Sequence, residues 1–226
     1  MKPTDRGREK LPVHKSIIIA VIVLVASLAA GYVFRDSLGE AADAWATRNM
    51  FVHVEAATFQ PGPEIGTRLP ELQAHHEGRS VTTIEEFSRG NGTVLVALRS
   101  IDWCAYCKRQ IIDLQEFKSY FDVFGIGLVA ITNDHPEAQQ PFIERHAITI
   151  PVLSDAQSRS FRSLGILNTN FQPGDSEYGL PHPGAIIVNR DGIITGKLFV
   201  ENPNLRVFSS EMLDYAKHSL GLKGLF

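Results

Sequence analysis

A short apolar run that leads into a helical pattern constrains the fold of this chain more than any other feature. Residues 93–98, TVLVAL, are almost uniformly apolar and follow the turn signal Gly90-Asn91-Gly92, which is typical of a buried central strand. Residues 107–121 then place large apolar side chains at helical spacing with charged side chains between them. This second pattern predicts a helix with one buried face.

Segments of the same two kinds follow along the chain. The predicted strands are 127–132, 150–153, 185–189 and 193–199, the last two joined by the hairpin turn Arg190-Asp191-Gly192. The predicted helices are 141–147, opened by Pro141, and 158–164 and 209–220. This order predicts an α/β fold with a mixed central sheet and helices on its faces. In such sheets, functional groups collect beyond the carboxyl ends of the strands.

Residues 16–34 form an uncharged apolar run near the N-terminus. At ~1.5 Å per helical residue the run reaches roughly 28 Å, about the thickness of the hydrocarbon core of a bilayer. Five basic residues precede the run and only Arg35 and Arg48 follow it closely, so the positive-inside rule places the N-terminus in the cytoplasm and the rest of the chain on the far side. A cleaved signal peptide is the alternative, because Ser27-Leu28-Ala29 fits a small-x-small cleavage site.

The segment Pro61-Gly62-Pro63, which disfavours helices and strands, separates this N-terminal part from a globular domain. We therefore predict four parts, which are a cytoplasmic tail (1–15), a transmembrane helix (16–34), a linker or stalk (35–60) and a domain (61–222). The domain is expected outside the cytoplasm, in the periplasm if the protein is bacterial.

Composition argues against two classes of protein. The formal net charge of −3 comes without a clustered basic excess, which argues against nucleic-acid binding. The chain also does not fit the class of small proteins stabilised by structural disulfides, because its two cysteines are only three positions apart. A bridge between them would close a very short loop and would restrict the unfolded chain little.

Cys104 and Cys107 lie where the predicted central strand gives way to the predicted helix. A helix N-terminus stabilises a thiolate through its free N–H groups and its dipole. We expect Cys104 to be exposed and to attack, and the more buried Cys107 to resolve the mixed disulfide. Arg99, Lys108 and Arg109 are candidates for additional positive charge, although solvated surface positions are the simpler interpretation.

Other uses of the two thiols fit the sequence less well. A structural zinc site needs four ligands, and the adjacent His75-His76 does not have the usual ligand spacing. A c-type haem would need a histidine where Lys108 stands. Two inert core thiols remain the general alternative. We therefore expect no metal and no cofactor.

These residues carry a family resemblance. The segments RSIDWCAYCKRQIIDLQ (99–115) and LPHPGAIIVNRDGII (180–194) resemble the redoxin branch of the thioredoxin-like superfamily. That branch contains alkyl hydroperoxide reductase/thiol-specific antioxidant-like domains and membrane-tethered thiol-disulfide oxidoreductases. The resemblance spans about 61–222 and implies a thioredoxin-like fold, with a mixed central sheet and helices on both faces.

The resemblance also implies a substrate groove formed by Trp103, His182 and Pro183. A cis His182–Pro183 bond would face the redox pair, with Pro181 as the second candidate for the cis proline. A cis His182–Pro183 bond would expose the backbone of His182 to a substrate strand. The charge of His182 could tune the stability of the cysteine thiolate.

The sequence departs from two relatives of this branch. Typical peroxiredoxins have a hydroxyl residue three positions before the peroxidatic cysteine. Here that position is Ile101 for Cys104 and Cys104 for Cys107, so neither cysteine has the hydroxyl residue. Thioredoxin has a buried aspartate where Leu98 stands, which leaves Asp102 and Glu85 as candidates to assist proton transfer. The first departure favours disulfide exchange over peroxide reduction.

We therefore predict a membrane-anchored, extracytoplasmic thiol-disulfide oxidoreductase with a Cys104–Cys107 redox couple. Its expected partners are protein thiols or disulfides, a thiol electron donor, and the membrane through residues 16–34, without nucleic acid. One alternative is a peroxiredoxin-like thiol peroxidase, an antioxidant that reduces hydroperoxides. Another is a non-enzymatic tethered interaction or metal-delivery domain.

Overall fold

The computed structural model describes residues 13–222, and the chain divides into two compact units between Trp45 and Ala46. The described part of the first unit belongs to one helix, α1 (Val13–Ala46). Of the helices in residues 13–222, none combines the length and the apolar character needed to cross a membrane, so the transmembrane helix predicted at 16–34 is unconfirmed. Most of the predicted tail, 1–15, lies outside the described residues.

The second unit contains nine strands and four helices, together with 3₁₀ turns at Val54–Ala56 and Glu85–Phe87. The strands are β1 (Phe51–Val52), β2 (Ala74–His76), β3 (Arg79–Val81), β4 (Gly92–Ala97), β5 (Ile126–Thr132), β6 (Val152–Ser154), β7 (Gly184–Asn189), β8 (Ile194–Phe199) and β9 (Arg206–Val207). The helices are α2 (Ala105–Val123), α3 (Pro136–Arg145), α4 (Arg159–Ser163) and α5 (Ser209–Ser219).

Seven strands form the central sheet in the order β3-β2-β6-β5-β4-β7-β8. Strand β4 lies inside it, parallel to β5 and antiparallel to β7, and β1 and β9 form a separate parallel pair. This mixed sheet confirms the predicted α/β class. Strand β1 lies in the stretch predicted as linker or stalk, and the division of the chain into four parts stays a prediction.

Strand β4 is buried on both faces because its side chains alternate between two hydrophobic clusters. Val94 and Val96 belong to the cluster that includes side chains of α2 and α5. Leu95 and Ala97 belong to the other cluster, where Phe161 of α4 is completely buried. Helices therefore cover both faces of the sheet, and the carboxyl end of β4 points toward the start of α2.

Helix α3 differs from its prediction. It begins at Pro136, whose missing N–H is not needed in the first turn, and it contains Pro141 instead of starting there. The buried Gln139 holds the first turn, because its amide donates to Thr132 Oγ1 at 2.9 Å and to the carbonyl of Leu153 at 3.2 Å. These tertiary contacts outweigh the local cost of an internal proline.

Candidate active site

Two buried polar side chains shape the loop that leads from β4 to α2. Asp134 Oδ2 accepts the backbone N–H of Ile101 at 2.7 Å. Ser100 Oγ accepts the backbone N–H groups of Asp102 at 3.0 Å and Trp103 at 3.1 Å. Both side chains thus satisfy loop N–H groups that would otherwise lack a partner. The loop is fixed immediately before the first cysteine.

The two cysteine sulfurs meet at the N-terminus of α2. Cys104 caps the helix, since its backbone is extended and its Sγ accepts the N–H of Cys107 at 3.3 Å. The Cys104 thiol also donates to Cys107 Sγ at 2.6 Å, and both cysteines are free. A disulfide bond is ~2.05 Å long, so closing one here requires only a small movement.

Both cysteines are buried. Cys107 is completely inaccessible and Cys104 is only 2% exposed, so the prediction that Cys104 is exposed at the helix start is wrong. The physical reason is a neighbouring side chain, because the Arg99 guanidinium lies against Cys104 with Nη2 3.6 Å from Sγ. A partner therefore reaches this sulfur only after local movement.

Arg99 connects Cys104 to two loops of the surface. Its Nη2 lies 3.4 Å from Asn204 Oδ1 and its Nη1 lies 3.7 Å from the Glu177 carboxylate. The guanidinium carbon is 5.8 Å from the centre of the Trp103 ring, within cation–π range. Arg99 is 9% exposed, so interpreting it as a solvated surface charge is wrong.

Arg206, the first residue of β9, lies beside the other cysteine. Its Nη2 is 3.5 Å from Cys107 Sγ, and its Nη1 donates to the carbonyls of Pro203 at 2.8 Å and Leu205 at 2.7 Å. The side chain is 2% exposed. Within residues 13–222 no carboxylate forms an ion pair with it. Cys107 thus has Arg206 beside it, in addition to Arg99, which interacts with both sulfurs.

The pKa values of the two thiols are shifted in opposite directions. The hydrogen bond to Cys107, burial and the charge of the neighbouring sulfur raise the pKa of Cys104. Burial opposes ionisation of Cys107, but the hydrogen bond from Cys104 and the positive charge of Arg206 together hold the pKa of Cys107 well below its usual value. The two thiols titrate as one coupled pair, in which the hydrogen bond from Cys104 and the charge of Arg206 favour ionisation of Cys107 over ionisation of Cys104.

The structure places the predicted groove residues at different depths. Trp103 is 53% exposed beside Cys104, whereas Pro183 is buried. His182 is half-buried, its ring packs edge-on against Phe59 at 4.9 Å, and burial lowers its pKa. Only Trp103 is linked to the sulfurs by a described contact, through Arg99.

No peptide bond in the described residues is cis, so the predicted cis His182–Pro183 bond is wrong, as is the alternative at Pro181. The trans form is the intrinsically favoured one, and local pairing accommodates it here. The N–H of His182 donates to the carbonyl of Ile166 at 2.8 Å, and Pro181 forms an isolated bridge with Leu167.

The candidates for proton transfer, Asp102 and Glu85, are not partners of either sulfur in the described contacts. Asp102 is exposed, and the Glu85 carboxylate lies 3.9 Å from Arg68. In place of a carboxylate, the sulfurs have two arginines. Arg99 was among the residues predicted from the sequence, but Arg206, which lies 99 residues after Cys107, was missed.

The cysteines are not part of a metal-ligating cluster in the described chain. The one group of histidine, cysteine or acidic side chains close enough to share an ion is His53, Glu55 and Glu211. There His53 Nδ1 and Glu211 Oε1 are 2.6 Å apart and already satisfy each other.

The comparisons with known proteins identify a family and a fold. The AhpC/TSA family model matches residues 65–197, and no curated protein matches the chain. Among solved structures, the peroxidoxin BcpB from Mycobacterium tuberculosis is 18% identical, with a TM-score of 0.54 over 74% of this chain and 100% of that one. A thiol peroxidase from Chromobacterium violaceum is 19% identical, with a TM-score of 0.57 over 72% of this chain and 90% of the other.

These structural likenesses confirm the thioredoxin-like fold. The family match covers more than half of the 226 residues. The chain therefore belongs to the AhpC/TSA family and is a thiol-dependent oxidoreductase.

Proposed function

We propose that Cys104 and Cys107 form a redox couple that exchanges disulfides with protein partners. The observation that carries this proposal is the 2.6 Å separation of the two sulfurs at the start of α2. A pair this close converts easily between dithiol and disulfide, and its oxidation removes two electrons without a cofactor.

The exchange begins with a proton shift inside the pair. Moving the shared proton from Cys104 to Cys107 transfers the negative charge to the outer sulfur, where Arg99 supports it. The Cys104 thiolate attacks one sulfur of a partner disulfide and releases the other as a thiolate, which takes the proton from Cys107. The Cys107 thiolate then attacks Cys104 Sγ, closes the internal disulfide and releases the second partner sulfur as a thiolate, which takes a proton from solvent.

A thiol electron donor restores the pair by the reverse sequence of steps. Both the donor and the oxidised partner must approach through Cys104, because Cys107 is completely buried. The exposed ring of Trp103 beside Cys104 offers an apolar surface for this contact. In this proposal His182 and Pro183 border the groove, and His182 is neutral near pH 7 because burial lowers its pKa.

Hydroperoxide reduction is the second candidate, favoured by the AhpC/TSA family match and by the arginine at each sulfur. A thiolate would attack the peroxide, release an alcohol or water and become a sulfenic acid, which would condense with the other thiol. The arrangement of Ser100 weighs against it, because this hydroxyl is four residues before Cys104 and already accepts two loop N–H groups.

Parallel assays of the full chain distinguish the two reactions. The reduced protein is mixed in turn with a peptide disulfide and with hydrogen peroxide, and loss of thiols is followed over time. We expect rapid exchange with the disulfide and consumption of peroxide no faster than by a free thiol. Fast peroxide consumption with slow exchange would replace the first proposal by the second. Cys104→Ser and Cys107→Ser variants serve as controls and should lose turnover in both assays.

We also propose that residues 16–34 tether the enzyme to a membrane, with the redox domain on the extracytoplasmic side. The support is the uncharged run and the basic residues before it. In α1, apolar side chains such as Ile22, Leu24 and Leu28 are exposed. The tethered chain should sediment with membranes, resist alkaline extraction and be digested by protease added on the extracytoplasmic side. Recovery of the intact full-length chain in the soluble fraction would contradict the proposal.

A further inference from the structure

We propose that Arg206 is a positioning residue that keeps the resting negative charge of the reduced pair on Cys107 and thereby makes the Cys104–Cys107 disulfide easier to reduce. The inference rests on the proposed redox couple and adds a determinant of its direction of transfer. It begins from a buried cation that lies 3.5 Å from a cysteine sulfur.

The surroundings of Arg206 provide hydrogen bonds without a full counter-charge. Two backbone carbonyls, of Pro203 and Leu205, accept from its Nη1, and they carry only partial charge. Its Nε has no hydrogen-bond partner among the described residues. A fully buried guanidinium without an anion is costly. The Cys107 sulfur, 3.5 Å from Nη2, is the group that can supply the anion.

The other neighbours of Arg206 strengthen this assignment. Gln110, one turn after Cys107 on α2, is 1% exposed and lines the same small cavity as Arg206. The cavity measures about 10 Å³, room for about one water molecule. Gln110 is a neutral amide, and its Oε1 has no partner in the described chain, so this side chain does not compensate the charge.

The charged and titratable groups around the pair are few. Cys104 and Arg206 face Cys107 directly, and Arg99 faces Cys104 and also interacts with Cys107. Arg99 has the Glu177 carboxylate within 3.7 Å, whereas no carboxylate among the described residues pairs with Arg206. Of the charges near Cys107, Arg206 favours its ionisation most.

The consequence for redox equilibrium follows from the charge balance. Reduction of the internal disulfide by an external dithiol adds two electrons to the pair and oxidises the dithiol to a disulfide. One of the two protons remains on Cys104, and Cys107 stays ionised next to Arg206. Because the ion pair exists only in the reduced state, it stabilises that state and makes the couple more oxidising.

The test compares three full-length variants with the wild type in redox equilibrium with dithiothreitol. We expect Arg206→Met to shift the equilibrium constant at least tenfold toward the disulfide, which corresponds to about 30 mV. Arg206→Lys keeps the charge and should remain within about threefold of the wild type, and Arg190→Met, at an exposed hairpin position, should not change it. A wild-type potential in folded Arg206→Met would overturn the inference.

A second measurement does not require the arginine to be replaced. In Cys104→Ser, which retains a hydrogen-bond donor next to Cys107, thiolate absorbance near 240 nm should show Cys107 ionising well below 9.0, the ordinary value for a thiol. A midpoint at or above that value overturns the inference even if Arg206→Met does not fold. If the wild type forms no reversible disulfide, the proposed function fails, while this titration still decides the role of Arg206.

Discussion

The outer and inner halves of the redox site contain the same pair of groups, a cysteine and an arginine, in different surroundings. The outer half, near the surface, consists of Arg99, Trp103, Cys104, Glu177 and Asn204. The inner half consists of Cys107, Gln110 and Arg206. In the outer half the arginine has a carboxylate at 3.7 Å. In the inner half no carboxylate within residues 13–222 pairs with the arginine, which lies 3.5 Å from the sulfur.

This difference shows how one fold assigns separate tasks to two neighbouring thiols. An arginine that already has a carboxylate gains less from an ionised sulfur than one that has none. In the arrangement that we propose, the charge rests on the inner cysteine and the proton rests on the outer cysteine that meets the partner. A single proton transfer across 2.6 Å then converts the stored thiolate into an attacking one.

The largest expected effect is on the stability of serine variants under reducing conditions. Cys107→Ser removes the anion of Arg206 and should lower the free energy of unfolding by ~3 kcal/mol, since removing one partner of a buried pair is costly. Cys104→Ser should cost about 1 kcal/mol, because Arg99 keeps Glu177. Urea unfolding at pH 8 measures both values. Equal losses in the two variants would contradict the distinction between the halves.

The next effect concerns the loop that supports the outer half. Asp134→Ala leaves the buried N–H of Ile101 without an acceptor and should lower the free energy of unfolding by about 2 kcal/mol. The matched control is Asp122→Ala, because this carboxylate is 39% exposed and pairs with Lys118 at 2.6 Å. It should cost less than about 1 kcal/mol. An unchanged free energy of unfolding in Asp134→Ala would show that the hydrogen bond from Ile101 does not stabilise the loop.

The inner half should also give the reduced protein a characteristic pH dependence. The folded-state pKa of Cys107 is lowered from 9.0, so the unfolded state binds more protons between the two values and stability rises with pH there. The free energy of unfolding should rise by at most ~1.4 kcal/mol per pH unit, and this rise should stop near pH 9. The stabilisation gained in this way is lost as pH falls through the lowered pKa of Cys107. The measurement is urea unfolding of reduced wild type across this range.

Cys107→Ser is the reference for that experiment, because it keeps the other titrating groups, including Lys197, whose pKa burial lowers. The difference between the two proteins reports the titration of the coupled pair, because Cys107 is the main cause of the raised pKa of Cys104. A difference that does not change with pH would show that Cys107 is protonated in the native state throughout.

The smallest effect is expected at the outer ion pair. The Glu177 side chain is 40% exposed, so Glu177→Gln should change stability by less than about 1 kcal/mol. Freed from the carboxylate, Arg99 should move more easily and expose Cys104, so that iodoacetamide alkylates the reduced protein up to about fivefold faster. Glu116→Gln, at an exposed position of α2, controls for the lost charge. An unchanged alkylation rate would show that Glu177 does not control access to Cys104.

The local parts of this site could be predicted from the sequence. An apolar strand followed by an amphipathic helix is encoded in consecutive residues, and it places Cys104 and Cys107 at the helix start as observed. The burial of Cys104 could not be predicted in the same way, because Arg99 covers it from a loop whose conformation depends on Asp134.

The inner half depends on contacts between distant segments, which a single sequence does not specify. Arg206 lies in the two-residue strand β9, which pairs with β1, and short strands have weak sequence patterns. The one available signal was a lone arginine between Leu205 and Val207. A charged residue inside a short apolar stretch, far from any evident partner, is worth testing as a buried functional group.

The most direct test of the central claim is a redox titration of the full-length wild type. The protein is equilibrated with dithiothreitol mixtures of graded potential, its free thiols are trapped, and each species is identified by mass. We predict one reversible two-electron transition in which Cys104 and Cys107 are oxidised together to an internal disulfide. Two thiols that stay reduced at every potential, or that oxidise independently of each other, would contradict the account.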